Sequence, residues 1–126
     1  MVIPWSDVMD DGTKQLKKGV LEIIILDLLT KKDRYGYELI KELSERSQGY
    51  FELKEGTLYP LLYRLNGNGL IVNYWGKEMN DAARRKYYQL TDKGVSELRR
   101  KKQQWKELVD AVNIILNDKS KGEYHE

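Results

Sequence analysis

Residues 55–70 read EGTLYPLLYRLNGNGL. Leu58, Leu61, Leu62 and Leu65 recur at helical steps, so the stretch predicts a helix with one apolar face. Pro60 lies inside that pattern. Proline is harmless only near a helix start, where the backbone N–H groups have no partner in any case. The start therefore falls between Lys54 and Thr57, with Thr57 the natural cap. The run Asn66-Gly67-Asn68-Gly69 stops the helix. Its first turn presents Lys54, Thr57 and Tyr59, and Arg64 lies away from the leucines. Tyrosines at helical spacing are most often packing residues. On that ground Tyr63 is read as core, whereas Tyr59, in the presenting turn, is read as outward.

Two helices precede this one. Leu16, Val20, Leu21, Ile24, Ile25, Leu28 and Leu29 mark a first helix over about residues 14–30. Ile23 and Leu26 widen its apolar surface beyond a single stripe. Tyr37, Leu39, Ile40 and Leu43 mark a shorter second helix to about Ser47, closed by Gly49. Downstream, Ile71–Trp75 and Arg85–Leu90 are β-rich segments joined by a polar turn, which predicts a hairpin. Thr91 then caps a long helix that reaches about Leu116. The expected organisation is an N-terminal arm over residues 1–12, a helix–helix–helix–hairpin unit over 13–90, a long helix over 91–116 and a tail over 117–126.

The chain has 126 residues, of which 40% are hydrophobic and 33% charged, enough for one small core. It holds no cysteine, which excludes disulfides, thiolate metal sites and thiol nucleophiles. No apolar run reaches the roughly 20 residues a membrane span needs. The N-terminus is acidic where a secretory signal would be basic, so a cytoplasmic chain is expected. The single histidine, His125, lies in the tail, and no nucleophile–base pair, metal spacing or glycine-rich phosphate loop is present. Neither an enzyme nor a cofactor is expected. The net charge of +2 is unevenly spread: residues 77–102 carry 9 basic and 4 acidic groups.

Two helices joined by a turn and followed by a hairpin make a winged helix-turn-helix, a mainly α fold with a small β-hairpin. In that layout the third helix enters the major groove of duplex DNA by its N-terminal part. Lys54, Thr57, Tyr59 and Arg64 would then face DNA, Arg64 either holding a phosphate or reading a guanine edge. Lys77, Arg84, Arg85 and Lys86 flank the hairpin tip. A charged edge strand that discourages aggregation would also explain them, but beside this helix phosphate contact is favoured.

The last helix adds a second function. Val95, Leu98, Lys102, Trp105, Val109, Val112 and Leu116 alternate steps of three and four, a heptad seam with one polar interruption. About 26 residues at about 1.5 Å each give a rod of roughly 39 Å, too long for this domain to cover. A second copy covers it, and a homodimer presents two recognition helices to two half-sites. Leu98, Trp105, Leu108, Val109, Val112 and Leu116 are the expected interface, with Trp5, Ile23 and Leu26 as candidates to join it. Trp105 either packs in that interface or offers its face to an aromatic ligand between subunits.

The chain resembles the PadR family of bacterial winged-helix transcriptional regulators. The resemblance rests on Gly19-Val20-Leu21-Glu22, Tyr35-Gly36-Tyr37-Glu38-Leu39, Gly56-Thr57-Leu58-Tyr59-Pro60, Arg64-Leu65, Gly69-Leu70-Ile71 and the run Arg84 to Thr91 with Gly94. It covers about residues 14–116, and the single C-terminal helix resembles the short subfamily. It implies a homodimeric repressor of an inverted-repeat operator, with Tyr35, Thr57, Tyr59, Arg64 and the wing arginines at or near DNA. Some short members sense drugs or phenolic compounds in a pore at the dimer centre, where a tryptophan stacks on the ligand, and Trp105 resembles that position. Ala82-Ala83 departs from the glycine common before the arginine pair, and the arm is longer than the family's. A different class stays open: a dimeric small-molecule or protein-binding module that uses the winged fold without DNA.

Overall fold

The computed structural model describes residues 11–77 and 84–117, with side chains from Lys17 onward. The elements are α1 (Asp11–Lys31), β1 (Arg34–Tyr35), α2 (Gly36–Arg46), α3 (Glu55–Gly67), β2 (Ile71–Trp75), β3 (Lys86–Leu90) and α4 (Asp92–Leu116). Trp5, the tip residues Ala82 and Ala83, and His125 lie outside the described residues. No described helix is long and apolar enough to cross a membrane.

The core forms where the apolar faces of the helices meet. Leu58, Leu61, Leu62 and Leu65 of α3 point inward against Leu21, Ile25, Leu26, Leu28 and Leu29 of α1 and Leu39 and Leu43 of α2. Ile71 and Tyr88 close it from the sheet, and Leu98 from α4. Leu26 is fully buried, so it belongs to this core and not to an intersubunit face. Ile23, by contrast, is only partly buried at its edge.

The wing has three strands, not two. Their order is β1-β3-β2, all antiparallel. β1 escapes a pattern reading because two residues cannot show a period of two. Its place is fixed by Arg34, whose buried guanidinium donates from Nε to the Leu28 carbonyl at 3.1 Å and lies 3.7 Å from Glu42. This ties β1 to both flanking helices.

The cap of α3 differs from expectation. The helix begins at Glu55 with Lys54 in the cap position, and no side chain caps it. Thr57 lies one turn inside, where its N–H donates to the Lys54 carbonyl at 3.0 Å. The α4 cap is as expected. Thr91 Oγ1 accepts from the Gly94 N–H at 2.9 Å and donates to the Gly69 carbonyl at 2.7 Å. Gly94 is required there: a Cβ would stand 2.1 Å from the Leu70 carbonyl oxygen.

Candidate nucleic-acid interface

The outward side of α3 carries Gly56, Tyr59, Pro60, Tyr63 and Gly67, all exposed. Tyr63 is 82% exposed, which corrects its reading as core. Its leucine neighbours saturate the inward face, and Tyr63 stands on the opposite side of the helix. Tyr59 is partly exposed, as expected, but its hydroxyl is lodged against Gly36 at the start of α2; a Cβ on Gly36 would meet that oxygen at 2.3 Å. Lys54 is exposed at the helix start, and Thr57 is half-buried.

Arg64 does not face outward. Its Nε and Nη2 both donate to Glu22 Oε1 on α1, at 3.3 and 3.1 Å. Lys101 of α4 approaches the same carboxylate at 3.8 Å. Glu22 thus joins three helices, and Arg64 is a strut between α1 and α3. The expectation of a free, outward Arg64 is not met, because an ion pair between residues 42 apart in the chain holds it to α1.

The wing is built around an aromatic row. Tyr87 of β3 pairs in register with Tyr35 of β1 on one side and Tyr74 of β2 on the other. The Tyr35 and Tyr87 rings meet edge-to-face at 5.5 Å, and Tyr87 and Tyr74 stack at 5.7 Å. Such cross-strand pairs fix a small sheet that hydrogen bonds alone hold weakly. Two arginines lie on it. The Arg85 guanidinium sits 4.7 Å from the Tyr35 ring centre, and Arg84 sits 5.9 Å from that of Trp75. Lys77, Arg84, Arg85 and Lys86 are all exposed. The result is a cationic rim whose two arginines are held by aromatic faces.

Asp33, which no motif singled out, orients this row. Its Oδ2 accepts from the Tyr74 hydroxyl at 2.5 Å and from Gln89 Nε2 at 3.3 Å. The hydrogen bond to this carboxylate pushes the Tyr74 hydroxyl up to about 12. Tyr88 faces the core, and burial pushes its hydroxyl above the usual tyrosine range, with Tyr59 adding to the effect.

On α4 the expected interface splits. Leu98 is 4% exposed and belongs to its own core, which removes it from any intersubunit face. Lys102, the polar interruption in the seam, lies 2.5 Å from Asp27 of α1. Val109 is half-buried. Trp105, Leu108, Val112, Ile115 and Leu116 are uncovered. The continuous stripe is Trp105–Leu108–Val112–Ile115, turned to one side of the predicted seam because α1 occupies the Leu98 side. Trp105 also lines two clefts. One, about 250 Å³, includes Gly19, Val20, Ile23 and Leu108. The other, about 480 Å³, includes Ile24, Leu43 and Phe51 together with Asp27, Arg46 and Lys102.

With this geometry in place, the chain matches the model of the transcriptional regulator PadR-like family over residues 25–100. It belongs to the PadR family. A protein of Lysinibacillus sphaericus is 37% identical over 99 residues, covering 79% of this chain and 90% of that protein. Among solved structures, a transcriptional regulator from Clostridium thermocellum superposes with a TM-score of 0.73 at 33% identity, over 79% of this chain and 95% of that one. A PadR family transcription regulator from Clostridium difficile does so with a TM-score of 0.66 at 42% identity, over 75% and 96%. This PadR-family chain is accordingly a winged-helix, DNA-binding transcriptional regulator.

Proposed function

We propose that this PadR-family chain is a cytoplasmic homodimeric repressor of an inverted-repeat operator, released by a planar aromatic or phenolic ligand beside Trp105. Residues 13–90 supply the DNA contacts and residues 91–116 join the two copies. α3 enters the major groove, which admits one helix. Lys54 and the wing cations Lys77, Arg84, Arg85 and Lys86 hold phosphates on either side.

The observation that carries this reading is the pair of arginines lying over aromatic rings beside an exposed helix face. A guanidinium held over a ring is partly oriented before it meets a phosphate, and it keeps its donors available. The uncovered Trp105–Leu108–Val112–Ile115 stripe supports the dimer, and the two clefts beside Trp105 support the ligand.

A salt titration of duplex binding tests the DNA reading. Each phosphate contact contributes a slope of about −0.9 in log affinity against log salt. A slope of several is expected, and Arg84→Ala should lower it by about one while weakening all sequences alike. A flat response, or no duplex binding, overturns the reading. The ligand reading predicts that planar phenols quench tryptophan fluorescence in the parent protein and not in Trp105→Ala. Equal responses overturn that part alone.

A further inference from the structure

We infer that α3 reads thymine methyl groups rather than guanine edges, with Tyr63 as the side chain that sets the preference; this rests on the DNA-binding reading above. Only two side chains on α3 are ionic, Glu55 and Arg64. Guanine is read by an arginine or a lysine that donates to two acceptors on one base edge; Lys54 lies at the cap before α3, where it is assigned to a phosphate. Arg64 is the one such residue within α3, and two of its nitrogens are committed to Glu22. That carboxylate is 19% exposed, so withdrawing Arg64 would leave it with Lys101 alone in a half-desolvated place. Glu55 cannot substitute, because a carboxylate only accepts and its base partner is a cytosine amino group. Asn66 is no better placed for adenine. It sits in the last turn, and its side-chain oxygen accepts from Asn73 Nδ2 at 3.4 Å.

What α3 does present is an apolar ridge. Gly56, Pro60, Tyr63 and Gly67 are spaced by four, three and four residues and therefore line one side of the helix. Gly56 and Gly67 add no side chain, and Pro60 adds a ring without a donor. Tyr63 stands above them at 82% exposed, with Tyr59 beside it at 43%. In the major groove the one apolar group on a base edge is the thymine C5-methyl. An aromatic ring over that methyl removes apolar surface of both from water. The charge around the ridge points to duplex DNA as its occupant. Lys54 lies at one end, and Arg84, Arg85 and Lys86 belong to the adjoining sheet, where phosphates would lie beside a helix seated in the groove.

The test uses the full-length protein and duplexes recovered by selection from random sequence. Thymines in each half-site are then replaced one at a time by uracil, which deletes the methyl and keeps every hydrogen-bonding group. At one or more half-site positions uracil should weaken binding about fourfold, as expected for one methyl group removed from water. Tyr63→Ala should weaken binding to the thymine duplex and abolish the thymine-over-uracil ratio at those positions. Arg64→Gln supplies the complement: it should lower thermal stability and leave base preference unchanged. Thymine and uracil duplexes bound equally by the parent protein would overturn the inference. So would a Tyr63→Ala variant that keeps the ratio, or an Arg64→Gln variant that loses preference for a G·C pair. A protein that binds no duplex at all would instead sink the DNA reading on which the inference stands.

Discussion

Asp33 sits in the short link between α1 and β1, yet its carboxylate takes hydrogen bonds from both long strands of the wing. Tyr74 reports on that contact. Its pKa is raised to about 12 in the folded chain, against about 10 for an ordinary tyrosine. A raised pKa means that the folded state holds the proton more tightly. The stabilisation is therefore fully present below about pH 10 and is lost as pH rises from about 10 to about 12. Ultraviolet difference titration should show Tyr74 ionising above the exposed tyrosines, and Asp33→Ala should lower it toward the ordinary value. No change on that substitution would remove Asp33 from its orienting role. Individual residues were legible in the sequence where their partners are local. The Thr91 cap contacts a group three residues away and was readable. Arg64 and Asp33 find partners across the fold, 42 and 41 residues distant, and no spacing rule reaches that far.

The helices and the long strands were legible because each is long enough to display its period. β2 occupies Ile71–Trp75 as read, and α4 ends at Leu116 as read. β1 was not legible, and it is the strand that carries Tyr35 beneath Arg85. On the proposed DNA-binding function, this position would let Tyr35 act through its ring. Tyr35→Leu should weaken duplex binding by about 1 kcal/mol, the scale of one cation–π contact. Tyr35→Phe keeps the ring and should bind within about twofold of the parent. Adding Tyr35→Leu to Arg85→Ala should cost little more than Arg85→Ala alone. If phenylalanine fails as badly as leucine in duplex-binding assays, the hydroxyl is the working group and the ring is not. Tyr63 was misread at this scale for a related reason. Helical spacing gives a residue's phase but not which neighbours fill the apolar face, and four leucines had already filled it.

For the whole molecule, the heptad spacing of α4 was visible in sequence, but its division of labour was not. Leu98 packs into its own core while Trp105, Leu108, Val112 and Ile115 remain uncovered. The period is the same for both uses, and only the position of α1 separates them. Val112→Asp should therefore yield a monomer by analytical ultracentrifugation, with single-chain thermal stability changed by less than about 0.5 kcal/mol. Affinity for a two-half-site duplex should fall toward that for one half-site. A dimer that survives the substitution would place the contact elsewhere. Because α4 is one unbroken helix seated in the core at Leu98 and tied to α1 again at Lys102, it behaves as a lever whose fulcrum lies in its first half. From Leu98 to Leu116 the arm is roughly 27 Å long, so a tilt of about 5° displaces the tip by roughly 2 Å. A change of a single methylene under Leu98 would thus be magnified at the far end and, in the proposed dimer, would alter the spacing of the two α3 helices from a place remote from α3 and the wing.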